Sequence, residues 1–103
     1  MAYSLSDLMQ LLVTERGEAV HLHPGEAPVL EIKRVLHRVE GPRLTAGDTE
    51  RLLQSIASED DLAEFKSGGT VSFYHRFQES AAFQIMAFKE DGHVRLEIRR
   101  FKG

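Results

Sequence analysis

Apolar residues at Leu5, Leu8, Met9 and Leu12 recur at the spacing of one helical face and predict an amphipathic helix from Ser4 to Arg16. Ser4 followed by Asp7 is a capping-box-like start, with Asp in place of the usual Glu or Gln. Gly17 supplies a stop, because glycine accepts the left-handed conformation at a helix end. Ala19 to His23 then alternates as a strand does, with Val20 and Leu22 on one face and His21 and His23 on the other. Pro24-Gly25 ends it. Val29 to Val39 is a second extended stretch. Leu30 and Ile32 share a face there, but Val35, Leu36 and Val39 break the alternation. A bulge or a turn is therefore expected near Lys33-Arg34, and Gly41-Pro42 closes the segment.

Thr45 with Asp48 opens a second helix, whose apolar stripe is Leu52, Leu53 and Ile56. Ser58 with Asp61 opens a short third one carrying Leu62 and Phe65, stopped by Gly68-Gly69. From Thr70 onward the pattern is a three-stranded meander. Val71, Phe73, His75 and Phe77 alternate along its first strand, Phe83, Ile85 and Ala87 along its second, and Val94, Leu96 and Ile98 along its third. Glu79-Ser80 is a loose turn signal and Asp91-Gly92 a strong hairpin signal, since Asp and Gly tolerate positive φ. The order helix, two strands, two helices, three strands argues an α+β fold, with an antiparallel sheet and helices packed on it.

Composition changes this picture little. A chain of 103 residues, 42% hydrophobic and 28% charged, is expected to form one domain over 1–103 with a modest core. The formal net charge of -3 gives no global basic field for nucleic acid. The absence of cysteine excludes disulfide frameworks, zinc ribbons and cysteine nucleophiles. No secretory signal and no apolar run long enough to cross a bilayer is visible, so no membrane insertion is expected and the cytoplasm is the default location.

Candidate chemistry is sparse. His21 and His23 share a strand face at a spacing that can chelate a metal, but two ligands do not make a site and no third is fixed by the sequence, so a polar sheet face is the reading preferred and no metal is expected. Glu59, Asp60 and Asp61 complement the dipole of the helix they begin and do not form a catalytic pair. Arg95, Arg99 and Arg100 with Lys102 make a basic final strand and tail, joined in space by Lys33, Arg34, Arg38 and Arg43 if the sheet allows. Such charges usually guard a sheet edge. Phe73, Phe77, Phe83 and Phe88 read as core filler, or as the lining of a ligand cavity. No Ser, His and Asp fall in the strand-turn-helix context of a nucleophile elbow.

The string Gly17-Glu18-Ala19-Val20-His21-Leu22-His23-Pro24-Gly25-Glu26-Ala27-Pro28 resembles the ASDLHL..G..P segment that follows the first helix of PilT-type retraction ATPases and related pilus and type II secretion ATPases. His21, Leu22, Gly25 and Pro28 fall on matching positions. Leu44-Thr45 with Asp48 is similar to that family's LT..E helix entry, and Thr70-Val71-Ser72-Phe73-Tyr74 to its DFSY strand. Ala82-Phe83-Gln84-Ile85-Met86-Ala87-Phe88 stands where the family has RFRVN.F, which matches Phe83 and Phe88. Leu96-Glu97-Ile98-Arg99-Arg100 resembles its closing strand. The resemblance implies a PAS-like domain, a curved antiparallel sheet with helices, which in the family packs on the ATPase core of the next subunit in a ring.

The departures imply the rest. No Gly-x-x-x-x-Gly-Lys-[Ser/Thr] string is present; Lys66-Ser67-Gly68-Gly69 has similar letters in the wrong order and follows a helix instead of opening one. The family strand arginines that reach nucleotide are replaced by Ala82 and Gln84, which cannot make forked contacts to phosphate. Ala19 replaces the aspartate of the DLHL string, and Lys33-Arg34 replaces an Asp-Gly turn and suits a tight primed turn poorly. The resemblance so qualified implies a stand-alone, diverged copy without the ATPase core. The expected role is that of a non-catalytic interaction or regulatory domain of pilus or type II secretion machinery, with no cofactor. Its partner would be itself, an ATPase or a scaffold, met through the edge of the meander with Arg95, Arg99 and Arg100 steering an acidic surface. The alternative is a PAS-like domain that senses a small ligand.

Overall fold

Ser4 starts the first helix, α1 (Leu5–Glu15), its hydroxyl accepting the Asp7 N–H at 3.1 Å. This computed structural model describes residues 3–78 and 81–101. The face read from the periodicity is the buried one: Leu5, Leu8, Met9 and Leu12 all lie in the core. The left-handed residue at the helix end is Arg16, at φ 56°, and not Gly17. Gly17 is required for space instead. A Cβ there would stand 2.8 Å from Leu30 Cδ1 and 2.9 Å from Leu12 Cδ2. Gly17→Ala is expected to cost about 1–2 kcal/mol in denaturant unfolding, the lower part of the overpacking range, because the obstacles are methyl ends that can turn aside. A neutral result would show that α1 and the first hairpin are not packed this closely.

Beyond Gly17 the chain forms β1 (Ala19–Leu22), β2 (Val29–Ile32) and β3 (Val35–Arg38). The phase slip in the second extended stretch is a turn, so that stretch contributes two strands where the sequence pattern suggested one. Lys33 and Arg34 have φ 50° and 67°, the paired positive values of a primed turn, although neither is a residue that favours it. The turn is held from outside: the Arg34 N–H donates to Glu18 Oε1 at 3.1 Å.

The next helices, α2 (Ala46–Gln54) and α3 (Glu59–Gly68), each begin with a complete capping box, Thr45 with Asp48 and Ser58 with Asp61. The Thr45 N–H, assisted by the Arg51 guanidinium, holds the Asp48 carboxyl below the usual carboxylate range. Gly69, at φ 77°, ends α3.

The meander is β4 (Thr70–Phe77), β5 (Ala81–Glu90) and β6 (His93–Arg100). Asp91 and Gly92 turn β5 into β6 with φ 51° and 78°. The expected turn at Glu79-Ser80 lies outside the described residues.

The six strands form one antiparallel sheet in the order β3-β2-β1-β6-β5-β4. The join is β1 against β6, with Val20 opposite Ile98 and Leu22 opposite Leu96. It makes the N-terminal hairpin and the C-terminal meander a single surface. One core cluster then forms on one face of that surface, where Val20, Leu22, Leu30, Val71, Phe83, Ile85, Leu96 and Ile98 meet Leu8, Leu12, Leu52, Leu53 and Phe65 of the helices. Alternation sends the intervening strand residues to the opposite face.

Candidate functional site

That opposite face is covered by no helix among the described residues, and most of the polar chemistry of the sheet lies on it. At its centre, on neighbouring strands β2, β1 and β6, sits a charged network. His21 Nε2 lies 3.1 Å from Glu31 Oε1, and His21 Nδ1 lies 3.4 Å from Glu97 Oε1. Arg99 closes the ring, with Nε 3.1 Å from Glu97 Oε2 and Nη2 3.7 Å from Glu31 Oε1. All four side chains are part-buried or rim-exposed. The two carboxylates approach opposite nitrogens of one imidazole and share one guanidinium. This arrangement fixes side chains on a flat surface and offers no convergent lone pairs for a cation. Among the described residues no group of three or more His, Asp or Glu side chains is placed to hold a metal.

Towards the meander the same face carries Ala82, Gln84, Met86 and Phe88 of β5 and Ser72 and Tyr74 of β4. Gln84 Nε2 donates to Ser72 Oγ at 3.0 Å. The Arg95 guanidinium lies 4.5 Å from the centre of the Phe88 ring, with Nε 3.5 Å from Glu90 Oε2. Tyr74, exposed, meets Phe101 edge-on at 4.8 Å between ring centres.

The structure thus separates the three arginines singled out in the sequence. Arg95 and Arg99 lie on the uncovered face. Arg100 is one residue out of phase and turns to the helix side, where Nη2 donates to the Leu12 carbonyl at 2.9 Å. The other motif positions divide in a similar way. Leu22 and Phe83 are core, and Pro28 is buried with its carbonyl accepting the Val39 N–H at 2.8 Å. Gly25, at φ 92°, makes the left-handed turn after Pro24 and donates its N–H to the Leu44 carbonyl at 2.7 Å. His21 and Phe88 belong to the uncovered face. Glu31 and Glu97 were not singled out by the sequence. Their strand parity matches that of His21 and Arg99, but only the β1–β2 and β1–β6 registers bring them together.

No protein-family model matches the sequence, and no curated protein does. Solved structures match its fold. The crystal structure of the pilus retraction motor PilT with bound ADP superposes with a TM-score of 0.88 at 22% identity, over 98% of this chain and 30% of that chain. The fold is that of the PilT N-terminal domain. The Legionella pneumophila ATPase DotB matches with a TM-score of 0.80 at 15% identity, over 97% of this chain and 30% of that one. The Yersinia pseudotuberculosis ATPase DotB gives 0.75 at 14%, over 95% and 29%. The chain therefore spans under a third of the length of these ATPases. On this PilT-like fold, Ala82 and Gln84 lie on the uncovered face one strand in from the β4 edge, at the positions where the resembled pattern has arginines.

The helix side holds a cavity of 260 Å³ at the margin of the core, where Leu53, Leu62, Phe65 and Val94 form the floor and Lys66 and Lys89 the rim. It is smaller than the roughly 300–1,000 Å³ of ordinary small-molecule sites. Among the described residues no helix is long and apolar enough to cross a membrane.

Proposed function

We propose that the chain is a non-catalytic interaction or regulatory domain that works with type IV pilus or type II secretion machinery, and that it docks on a protein through the uncovered face of its sheet. The observation that carries this reading is that face itself. A sheet packed on one side only, with its other side organised by ion pairs and bearing Met86, Phe88 and Tyr74, presents a broad preformed surface. Near-coverage of the chain by the fold of a pilus motor supports the choice of machinery. Ala82 and Gln84 support a role without nucleotide, because neither side chain carries the charge that phosphate recognition uses. Arg95 and Arg99 remain the proposed contacts for an acidic partner surface; Arg100, bonded to α1, contributes through the fold.

The test is binding of the purified chain to a purified PilT-type ATPase, by calorimetry and light scattering, with ATP turnover of the chain alone measured in parallel. The expected result is a complex that Met86→Asp weakens by roughly tenfold, the effect of spoiling one well-packed interface contact. The chain alone is expected to turn over no ATP. A strict monomer that ignores the ATPase but carries a co-purifying small molecule overturns the reading in favour of ligand sensing, and turnover by the pure chain overturns its non-catalytic part.

A further inference from the structure

The sheet has a second feature that the uncovered face does not use. Among the described residues, strand β3 lies at one end of the strand order and pairs with β2 alone. Its outer backbone groups can be identified. The Val39 N–H donates to the Pro28 carbonyl, so Val39 points inward to β2. Antiparallel alternation then turns Val35 and His37 inward as well, and leaves the N–H and C=O of Leu36 and Arg38 facing out from the sheet. These are free positions for one more strand.

Two observations say what that strand is. Val35 and Leu36 are 55% and 64% exposed, the exposed aliphatic pair of an otherwise well-buried set. A strand edge kept only to repel neighbours has no use for them. Around them Lys33, Arg34, His37 and Arg38 are all exposed, with no acid between Glu31 and Glu40. None of Lys33, Arg34 and Arg38 takes part in an ion pair among the described residues. The nearby Glu18 carboxylate is engaged by the Arg34 N–H. A second copy of this chain pairing edge to edge would set the cationic run against itself. An acidic strand meets it with opposite charge.

We infer that the β3 edge is a second docking site, which takes an extended acidic segment of another protein as a seventh, antiparallel or parallel strand beside Val35–Arg38. Backbone groups of Leu36 and Arg38 carry the ladder. The exposed Leu36 side chain, with Val29 in the shallow depression that His21, His23, Glu26 and Arg38 also line, receives an apolar residue of the segment, so the carboxylates of the segment lie toward Lys33, Arg34 and Arg38 and not over Glu26. Lys33, Arg34 and Arg38 select carboxylates at alternate positions. The site is at the opposite end of the strand order from β4, so one partner on this edge and another on the uncovered meander are compatible.

The experiment uses two synthetic peptides of ~8 residues, about the length of an ordinary strand, one alternating Glu with Val and the other alternating Lys with Val. Each is titrated into the labelled chain and followed by amide shifts and hydrogen exchange. The Glu peptide is expected to protect the Leu36 and Arg38 amides and to bind more weakly as salt rises; the Lys peptide is expected not to bind. Leu36→Pro removes an outward N–H without touching the β2 ladder, as edge prolines do, and should weaken the Glu peptide by about tenfold or more. The Arg34→Glu, Arg38→Glu double variant keeps the backbone and should reverse the preference between the peptides. Absence of protection at Leu36 and Arg38, equal binding of both peptides, unchanged preference in the double variant, or concentration-dependent dimerisation through β3 each overturns the inference.

Discussion

Phe83→Ala is expected to lower the unfolding free energy by about 3–5 kcal/mol, the largest effect of any single substitution considered. Phe83 is fully buried, on the same face of β5 as Ile85 and Ala87, and its ring centre stands 6.2 Å from that of Phe77. The sheet beneath it and the helices above it belong to one cluster, so a truncated side chain leaves a cavity bounded by strands on one side and helices on the other. Such a site collapses poorly, because closing it would move the sheet as a whole. The measurement is urea unfolding followed at two probes, one in α1 and one in the meander. Both transitions should shift together. A loss under about 1 kcal/mol, or a shift in the meander alone, would mean that the helices and the sheet do not share a core.

The second large effect is expected at Arg100. Its guanidinium reaches the Leu12 carbonyl at 2.9 Å, in the last turn of α1, a carbonyl that also accepts the Arg16 and Gly17 N–H groups. A cation there also complements the negative end of the helix dipole. The contact ties α1 to the last strand across 88 positions of sequence. Arg100→Ala should therefore cost about 1.5–3 kcal/mol, the range for a hydrogen bond to a charged group. Arg95→Ala, whose side chain rests on Phe88 at the surface, should cost well under that. If Arg100→Ala were neutral for folding and instead abolished binding of an acidic partner, Arg100 would be a surface contact and not a link to the helix.

Arg100 also illustrates what strand parity can and cannot tell. Two-residue alternation places it with Leu96 and Ile98, away from Arg95 and Arg99, and that much was legible in the letters. Grouping the three arginines by proximity in sequence missed it. Where Arg100 finds an acceptor was not legible, since Leu12 belongs to the first helix. Lys33-Arg34 is a second such position. The broken alternation marked the place, but the residues argue against a primed turn, and the turn that forms is braced by Glu18, beside the start of β1, which accepts the Arg34 N–H. Gly17 is a third. A glycine after a helix suggests a left-handed cap, yet Arg16 adopts that conformation and Gly17 serves the approach of Leu30.

Local chemistry, then, was enough to determine the elements and their faces. Ser4, Thr45 and Ser58 start helices because their hydroxyls accept N–H groups only a turn away. Periodicity separates Val20 and Leu22 from His21, and Phe83 and Ile85 from Gln84, because strand geometry enforces it residue by residue. The resemblance to the PilT pattern, carried by many weak colinear positions, anticipated the fold that the superposition displays. Tertiary structure alone decided that β1 lies between β2 and β6. That single pairing assembles His21, Glu31, Glu97 and Arg99 into one network and leaves β3 at the edge with Leu36 and Arg38 facing outward. The physical reason is that a strand's alternation is a local property. The choice of neighbour depends on backbone hydrogen bonds that are the same for every sequence, and on side-chain packing that exists only once distant segments have met.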